Sequence, residues 1–385
     1  WCLLPLDRSY RMANEDLQKK AAAAAAARSK KGNKRFKTIY FVFGALGAYG
    51  VAVGVLLFVQ EKGPFAVKVN EASQITHINR NAKTWQAAPA PFFDGWSIGD
   101  VKLLEGVGIS QMGGGVPPCQ TPETTVPAEF DAREKWPKCF KAPVYSMGNC
   151  TASWATATAS AFSDRVCIAD PDAESETVYS AQQLLSCDTG NRGCNGGDID
   201  SVWSFLTNEG LVSEACFPYQ ADSSVSCSSK CTEETPRKAS SHCMLSSEVA
   251  AMKEIFTNGP VVAPVFLSDD FLTYSRGLYK EIPTAKQITS LKNKQNRIIQ
   301  AVKVVGWGVE RRQKYWLIEN SWGEEWGEGG FAKIVRGGTP EKREGIIIET
   351  YMVAGTPASG IIEENDDDDD IDLDPSEDAK EEEDI

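Results

Sequence analysis

The clearest pattern along the chain is the run Thr38–Val59, TIYFVFGALGAYGVAVGVLLFV, 22 residues without a charge and apolar on every helical face. As a helix it would be about 33 Å long at about 1.5 Å per residue, enough to cross a bilayer. A secretory signal has a shorter apolar core, and a helix buried in a soluble core is rarely apolar all round. We therefore expect a transmembrane helix at 38–59. Upstream, residues 14–31 predict a second helix. Asn14 can cap it, Glu15 and Asp16 suit its positive end, and Ala21 to Ala27 have the highest helix propensity. Residues 60–122 are mixed in polarity, punctuated by Pro and Gly, and too aromatic for a plain linker. Residues 358–385 cannot bury a core and are expected to be a disordered tail.

Charge sharpens this layout. The chain is 385 residues long with a formal net charge of −13. Residues 358–385 hold 15 acidic side chains and one Lys, net −14, which leaves the rest of the chain at +1. Residues 1–37 hold ten Lys or Arg against three acids, net +7. A basic segment ahead of the span places the N-terminus in the cytosol or a mitochondrial matrix, with the large C-terminal part across the membrane. The basic cluster adjoins an apolar helix, so nucleic acid is not an expected partner. Gly44, Ala48 and Ala52 recur every four residues, and Gly50 and Gly54 form a GxxxG, a spacing that lets two helices approach closely. Other membrane-protein subunits are thus expected partners through the span. The acidic tail would draw a basic protein or cations.

The chemistry centres on Met147-Gly148-Asn149-Cys150-Thr151-Ala152-Ser153-Trp154. The stretch resembles the nucleophile segment of the papain family, Cys-Gly-[Ser/Ala]-Cys-[Trp/Tyr]. The resemblance continues through Pro127 to Cys139, Ala161 to Ile168, Ser180 to Cys187, Gly193-Cys194-Asn195-Gly196-Gly197 and Asn258 to Val261. It ends with Ala301 to Gly308, Tyr315 to Gly323, Trp326-Gly327 and Gly329-Gly330-Phe331. These blocks cover about 230 residues in the family's order. They are most similar to the cathepsin B branch, including its propeptide at Thr84-Trp85-Gln86-Ala87 and Val101 to Gly106.

The resemblance implies an α+β, two-lobed papain-like fold, with a helical left lobe and an antiparallel β right lobe, preceded by the single transmembrane helix. The expected segments are 1–37 basic, 38–59 membrane span, 60–122 propeptide-like, 123–357 papain-like domain and 358–385 acidic tail. The propeptide-like segment is expected to lie along the cleft.

A papain-type site needs a thiolate, an imidazole to activate it and an Asn to orient the imidazole. The resemblance puts Ser153 at the thiol, Gln300 at the imidazole and Asn320 at the orienting Asn. Met147 stands where a Gln would help to bind the oxyanion, a donor worth about 3 kcal/mol of barrier. The chain has two His in all, His77 and His242, and neither falls in a catalytic block. Gln cannot take up a proton near neutral pH, so the expectation is an inactive protease homologue with no cofactor and no metal. The competing expectation is an active serine-variant peptidase that uses Ser153.

Eleven cysteines suggest an oxidising compartment. The resemblance implies the pairs Cys139–Cys167, Cys150–Cys194, Cys187–Cys227 and Cys216–Cys231. Cys119 and Cys243 are left over and could pair, and Cys2 is expected to be reduced across the membrane. The expected compartment is a secretory lumen or cell surface, or alternatively the mitochondrial intermembrane space. Ten residues separate Cys216 from Cys227, too few for the His-bearing loop of cathepsin B, and the chain is longer at Lys280 to Arg297. By the same resemblance, Tyr351 stands where cathepsin B carries an acidic residue at the base of its specificity pocket.

Overall fold

The computed structural model describes residues 66–359, apart from 103–106, 108–114, 141, 171–176, 228–230, 232–233, 246, 283–297, 338–347 and 350. The expected span at 38–59, the helix at 14–31, Cys2, the tail from residue 360 and most of the longer stretch 280–297 lie outside the described residues. No helix among the described residues is long and apolar enough to cross a membrane.

The chain first lays down α1 (Ala72–Asn81), β1 (Trp85–Ala87), a 3-10 turn at Pro91–Phe93 and α2 (Ile98–Val101). Ser97 and Asp100 cap α2 reciprocally, each satisfying a backbone N–H of the other end of the turn. β2 (Phe130–Asp131) and α3 (Ala132–Lys135) open the main body, with the Asp131 carboxylate accepting from Arg133 N.

The central helix α4 (Ser153–Ala169) is buried on all sides from Ser153 to Val166. Its sequence suits that place. Alanines let neighbours approach, and the hydroxyls that would otherwise lose their water bond back along the helix. Thr156 donates to Ala152 O at 3.1 Å, Thr158 to Trp154 O at 2.8 Å and Ser163 to Ala159 O at 2.7 Å. α5 (Ala181–Cys187) and α6 (Ile199–Asn208) pack on α4 to form the helical lobe.

The second lobe is built from β3 (Ala239–Leu245), α7 (Glu248–Asn258), β4 (Val261–Leu267), β5 (Tyr274–Tyr279), β6 (Ile298–Glu310), β7 (Gln313–Glu319), β8 (Phe331–Val335) and β9 (Met352–Pro357). Strand order is β1-β5-β8-β7-β6-β4-β9-β3, with β2 added to β6. β4 and β6 are rich in Val and Ile and rest against α4 and α7, as suits central strands buried on both faces. β6 runs antiparallel to both β4 and β7. Gly306 is where β2 crosses close by: a Cβ there would lie 2.2 Å from Phe130 O.

One junction departs from the expected antiparallel lobe. β5 and β8 are parallel, through Leu278↔Lys333 and Tyr279↔Ile334. β5 enters from a buried 3-10 turn at Asp269–Thr273, which sets its direction, and its other edge is taken by β1. The short pair is what that direction allows against β8.

Five disulfides tie the described residues: Cys139–Cys167, Cys150–Cys194, Cys187–Cys227, Cys216–Cys231 and Cys119–Cys243. The last staples the end of the 60–122 segment to β3. There Cys119 N donates to Met244 O at 2.9 Å and Met244 N to Pro117 O at 2.8 Å, so the end of that segment covers the free edge of β3.

Candidate functional site

Ser153 is the first residue of α4, Gln300 lies on β6, and Asn320 directly follows β7. The structure brings them together. Gln300 Nε2 donates to Asn320 Oδ1 at 3.1 Å, and Ser153 Oγ accepts from Ala301 N, one residue beyond Gln300, at 3.2 Å. Met147 joins the group: its sulfur lies 3.8 Å from Gln300 Nε2, and its backbone N donates to Ser321 O at 2.9 Å. All four side chains are buried, with Ser153 at 2%, Gln300 at 1%, Asn320 at 2% and Met147 at 1% exposure. Asn320 Nδ2 is also buried and finds no hydrogen-bond partner among the described residues, a cost of about 1–3 kcal/mol in general.

The chain's own N-terminal segment packs beside this site. Phe93 meets Trp322 edge to face at 4.9 Å between ring centroids, and Phe92 stacks on the same ring at 6.3 Å. Val107 pairs in parallel with Gly197 on the facing wall. Upstream, β1 adds to β5, and Trp85 Nε1 donates to Lys280 O at 2.9 Å. Two Asn side chains hold the segment in shape by double hydrogen bonds to the backbone, Asn79 to Ala87 and Asn70 to Ala90.

The two histidines lie apart from the cluster. His77 is exposed on α1. His242 is on β3, with its Nε2 2.8 Å from Asp200 Oδ1. Tyr351 is buried at 3% exposure, and its hydroxyl has no partner among the described residues. Burial, with Asp200 and Asp198 nearby, pushes the Tyr351 phenol up, so it stays neutral.

A second polar centre, not anticipated from the sequence, lies on the opposite face of β6 and β7. Lys303 Nζ is held by Asp164 Oδ2 at 2.6 Å, Glu319 Oε2 at 2.7 Å and Ser160 Oγ at 2.8 Å. Lys303, Asp164 and Glu319 line a cavity of about 390 Å³ together with Arg133, Phe140 and Phe331. Burial drives the Asp164 carboxyl up to about 7, against the pull of Lys303. Burial alone would lower Lys303, but the two carboxylates outweigh it and its ammonium is held above its ordinary value. The sequence signal was available: Lys303 is a charge inside the apolar run Ala301-Val302-Lys303-Val304-Val305.

A two-lobed body with a helix N-terminus facing a β-lobe Asn across a cleft, and with an N-terminal segment crossing that cleft, defines a papain-type proenzyme architecture. The sequence profile of the papain family cysteine proteases matches residues 126–355, and the chain belongs to that family. It is 31% identical over 293 residues to cathepsin B-like CP2 of Giardia intestinalis, covering 73% of this chain and 94% of that protein. It is also 33% identical over 306 residues to tubulointerstitial nephritis antigen-like of Rattus norvegicus, covering 69% of this chain and 64% of that longer protein. Procathepsin B S9 from Trypanosoma congolense has a similar structure, with TM-score 0.66 and 29% identity over 76% of this chain and all of that one.

Proposed function

We propose that this chain is a catalytically inactive, cathepsin B-like member of the papain family that serves as a structural or binding subunit of a membrane complex. The observation that carries the reading is the contact between Gln300 Nε2 and Asn320 Oδ1. The amide donates to Asn320 as a histidine ring N–H would, but it has no basic nitrogen with which to take a proton. Ser153 Oγ, without a base, is a weak nucleophile and already accepts from Ala301 N. Met147 offers no side-chain donor for an oxyanion. The serine-variant reading lacks a group to activate Ser153.

The propeptide-like segment stays attached in this reading. Removal opens the site of a protease, and a chain without that chemistry gains nothing from it. The contacts of Phe92 and Phe93 with Trp322 and the Cys119–Cys243 staple support retention. Similarity to relatives named as an antigen, alongside others named as cathepsins, suits a use of the fold other than cleavage. Five disulfides suggest an oxidising compartment such as a secretory lumen. Residues 38–59 would dock the chain to a neighbouring span, and the tail, net −14, would attract a basic partner or cations.

The deciding experiment combines an electrophilic serine- and thiol-directed probe with a panel of peptide substrates. The expected result is neither labelling nor turnover. Turnover that Ser153→Ala abolishes would sink the reading. For the membrane role, mild-detergent isolation should recover partner subunits that Gly50→Leu releases while the folded domain persists.

A further inference from the structure

Asn149-Cys150-Thr151 is the one Asn-Xaa-Ser/Thr triplet, Xaa not Pro, in the whole sequence, and that triplet is the acceptor for N-linked sugar. The family's pattern has Gly at the position of Thr151, so the departure that breaks the pattern also writes the acceptor. The structure gives the triplet a specific setting. Residues Met147 to Cys150 form a tight turn in which Cys150 N donates to Met147 O at 3.3 Å. Gly148 supplies its left-handed residue, at φ +60°. Asn149 is exposed on that turn, while Thr151 is buried at 3% exposure.

We propose that Asn149 carries an N-linked glycan, which stands at the lip of the cleft four residues before Ser153. The inference rests on the lumenal disposition of the domain proposed above. In the transfer, Asn149 Nδ2 attacks the first sugar carbon of a lipid-linked oligosaccharide diphosphate. The new bond joins Nδ2 to that carbon, the carbon–oxygen bond to the diphosphate breaks, and the lipid diphosphate leaves. One amide proton passes to solvent, and no oxidant or reductant is needed. The order of events follows from burial. The Thr151 hydroxyl that the acceptor requires is enclosed once Thr151 N donates to Cys194 O at 3.2 Å and Cys150 joins Cys194. The sugar is therefore added before that disulfide closes, and the folded chain then displays it outward.

The consequence concerns how partners approach. The turn is fastened to both walls of the cleft, by Met147 N to Ser321 O at 2.9 Å and by Thr151 N to Cys194 O. A bulky, hydrated glycan there shields the cleft mouth. Macromolecular partners of this domain then dock on another face.

The test uses the full chain produced in a secretory eukaryotic cell and treated with peptide N-glycosidase. The expected result is a gel shift of one glycan, with residue 149 converted to Asp in the peptide mass spectrum. Asn149→Gln and Thr151→Val should abolish the shift, and Thr151→Ser should keep it. A wild-type chain without a shift, or an Asn149→Gln chain that keeps one, overturns the proposal. Thiol alkylation before and after reduction separates the two causes of failure. A disulfide-bonded chain without glycan overturns the glycan alone, and a reduced chain without glycan overturns the lumenal reading as well.

Discussion

Gln300 donates from Nε2 to Asn320 Oδ1 at 3.1 Å, so a β6 residue and the residue that follows β7 are joined amide to amide inside the interlobe contact. The pair is fully buried, and its β6 neighbour Ala301 takes up the Ser153 hydroxyl. These hydrogen bonds join the start of α4 to β6, and β6 to the residue after β7.

Restoring the thiol alone should not restore activity. Ser153→Cys would present a sulfhydryl with no imidazole, because Gln300 remains. We expect no labelling by a thiol-directed epoxide and no peptide turnover. Rapid labelling of Ser153→Cys would show that another group in the cleft can act as the base.

The buried triad behind the cleft should be a stability determinant. Lys303→Met leaves Asp164 and Glu319 facing each other with no cation between them. Removing one partner of a buried ion pair costs about 3–5 kcal/mol. A denaturant midpoint within error of the wild type would refute this.

The same triad makes stability depend on pH. Asp164 titrates near 3.8 in an ordinary setting and is raised to about 7 by burial in the fold. The folded chain therefore binds a proton that the unfolded chain has released between these values. This contribution is fully present below about pH 4 and is lost as pH rises through about 7. Denaturation midpoints measured across pH 4 to 7 should fall more steeply for the wild type than for Asp164→Asn. Parallel curves for the two proteins would remove Asp164 as the cause.

How much of this was legible in the sequence depends on the kind of signal. Ser153, Gln300 and Asn320 were placed together because each sits at a fixed position within a motif, and motifs carry their geometry with them. The Lys303 triad was missed although Lys303 interrupts an apolar strand. Its partner Asp164 lies 139 residues away, and only tertiary packing joins them. The parallel β5–β8 junction was likewise out of reach, since strand direction there follows from a buried 3-10 turn. The acceptor triplet at Asn149 was readable as letters, but its exposure against a buried Thr151 was not.

Phe93 should be the main attachment of the N-terminal segment to the cleft. It is fully buried and packs edge to face on Trp322. Phe93→Ala removes contacts of a kind worth about 3–5 kcal/mol. Hydrogen exchange should speed up between α1 and Val107 while α4 stays protected. Unchanged exchange in that segment would mean that β1 and the two Asn side chains hold it without the aromatic contact.

The Cys119–Cys243 disulfide decides what a cut in the linker can achieve. Cys119 lies on the segment side of residues 120–126, and Cys243 lies in β3 of the body. The linker beyond Cys119 is exposed at Gln120, Thr121, Glu123 and Thr125, so it is open to a protease. A cut there severs the backbone but leaves the disulfide joining the two pieces. The β1–β5 pairing and the aromatic contacts then act within one covalent unit, at high effective concentration. A protease site inserted at 121–125 should give one band without reductant and two bands with it, and the segment should stay in the cleft after cutting. Cys243→Ser should convert this to slow release even without reductant. If the cut pieces of the wild type separate under non-reducing conditions, the staple is absent in the native protein and retention of the segment loses its strongest support.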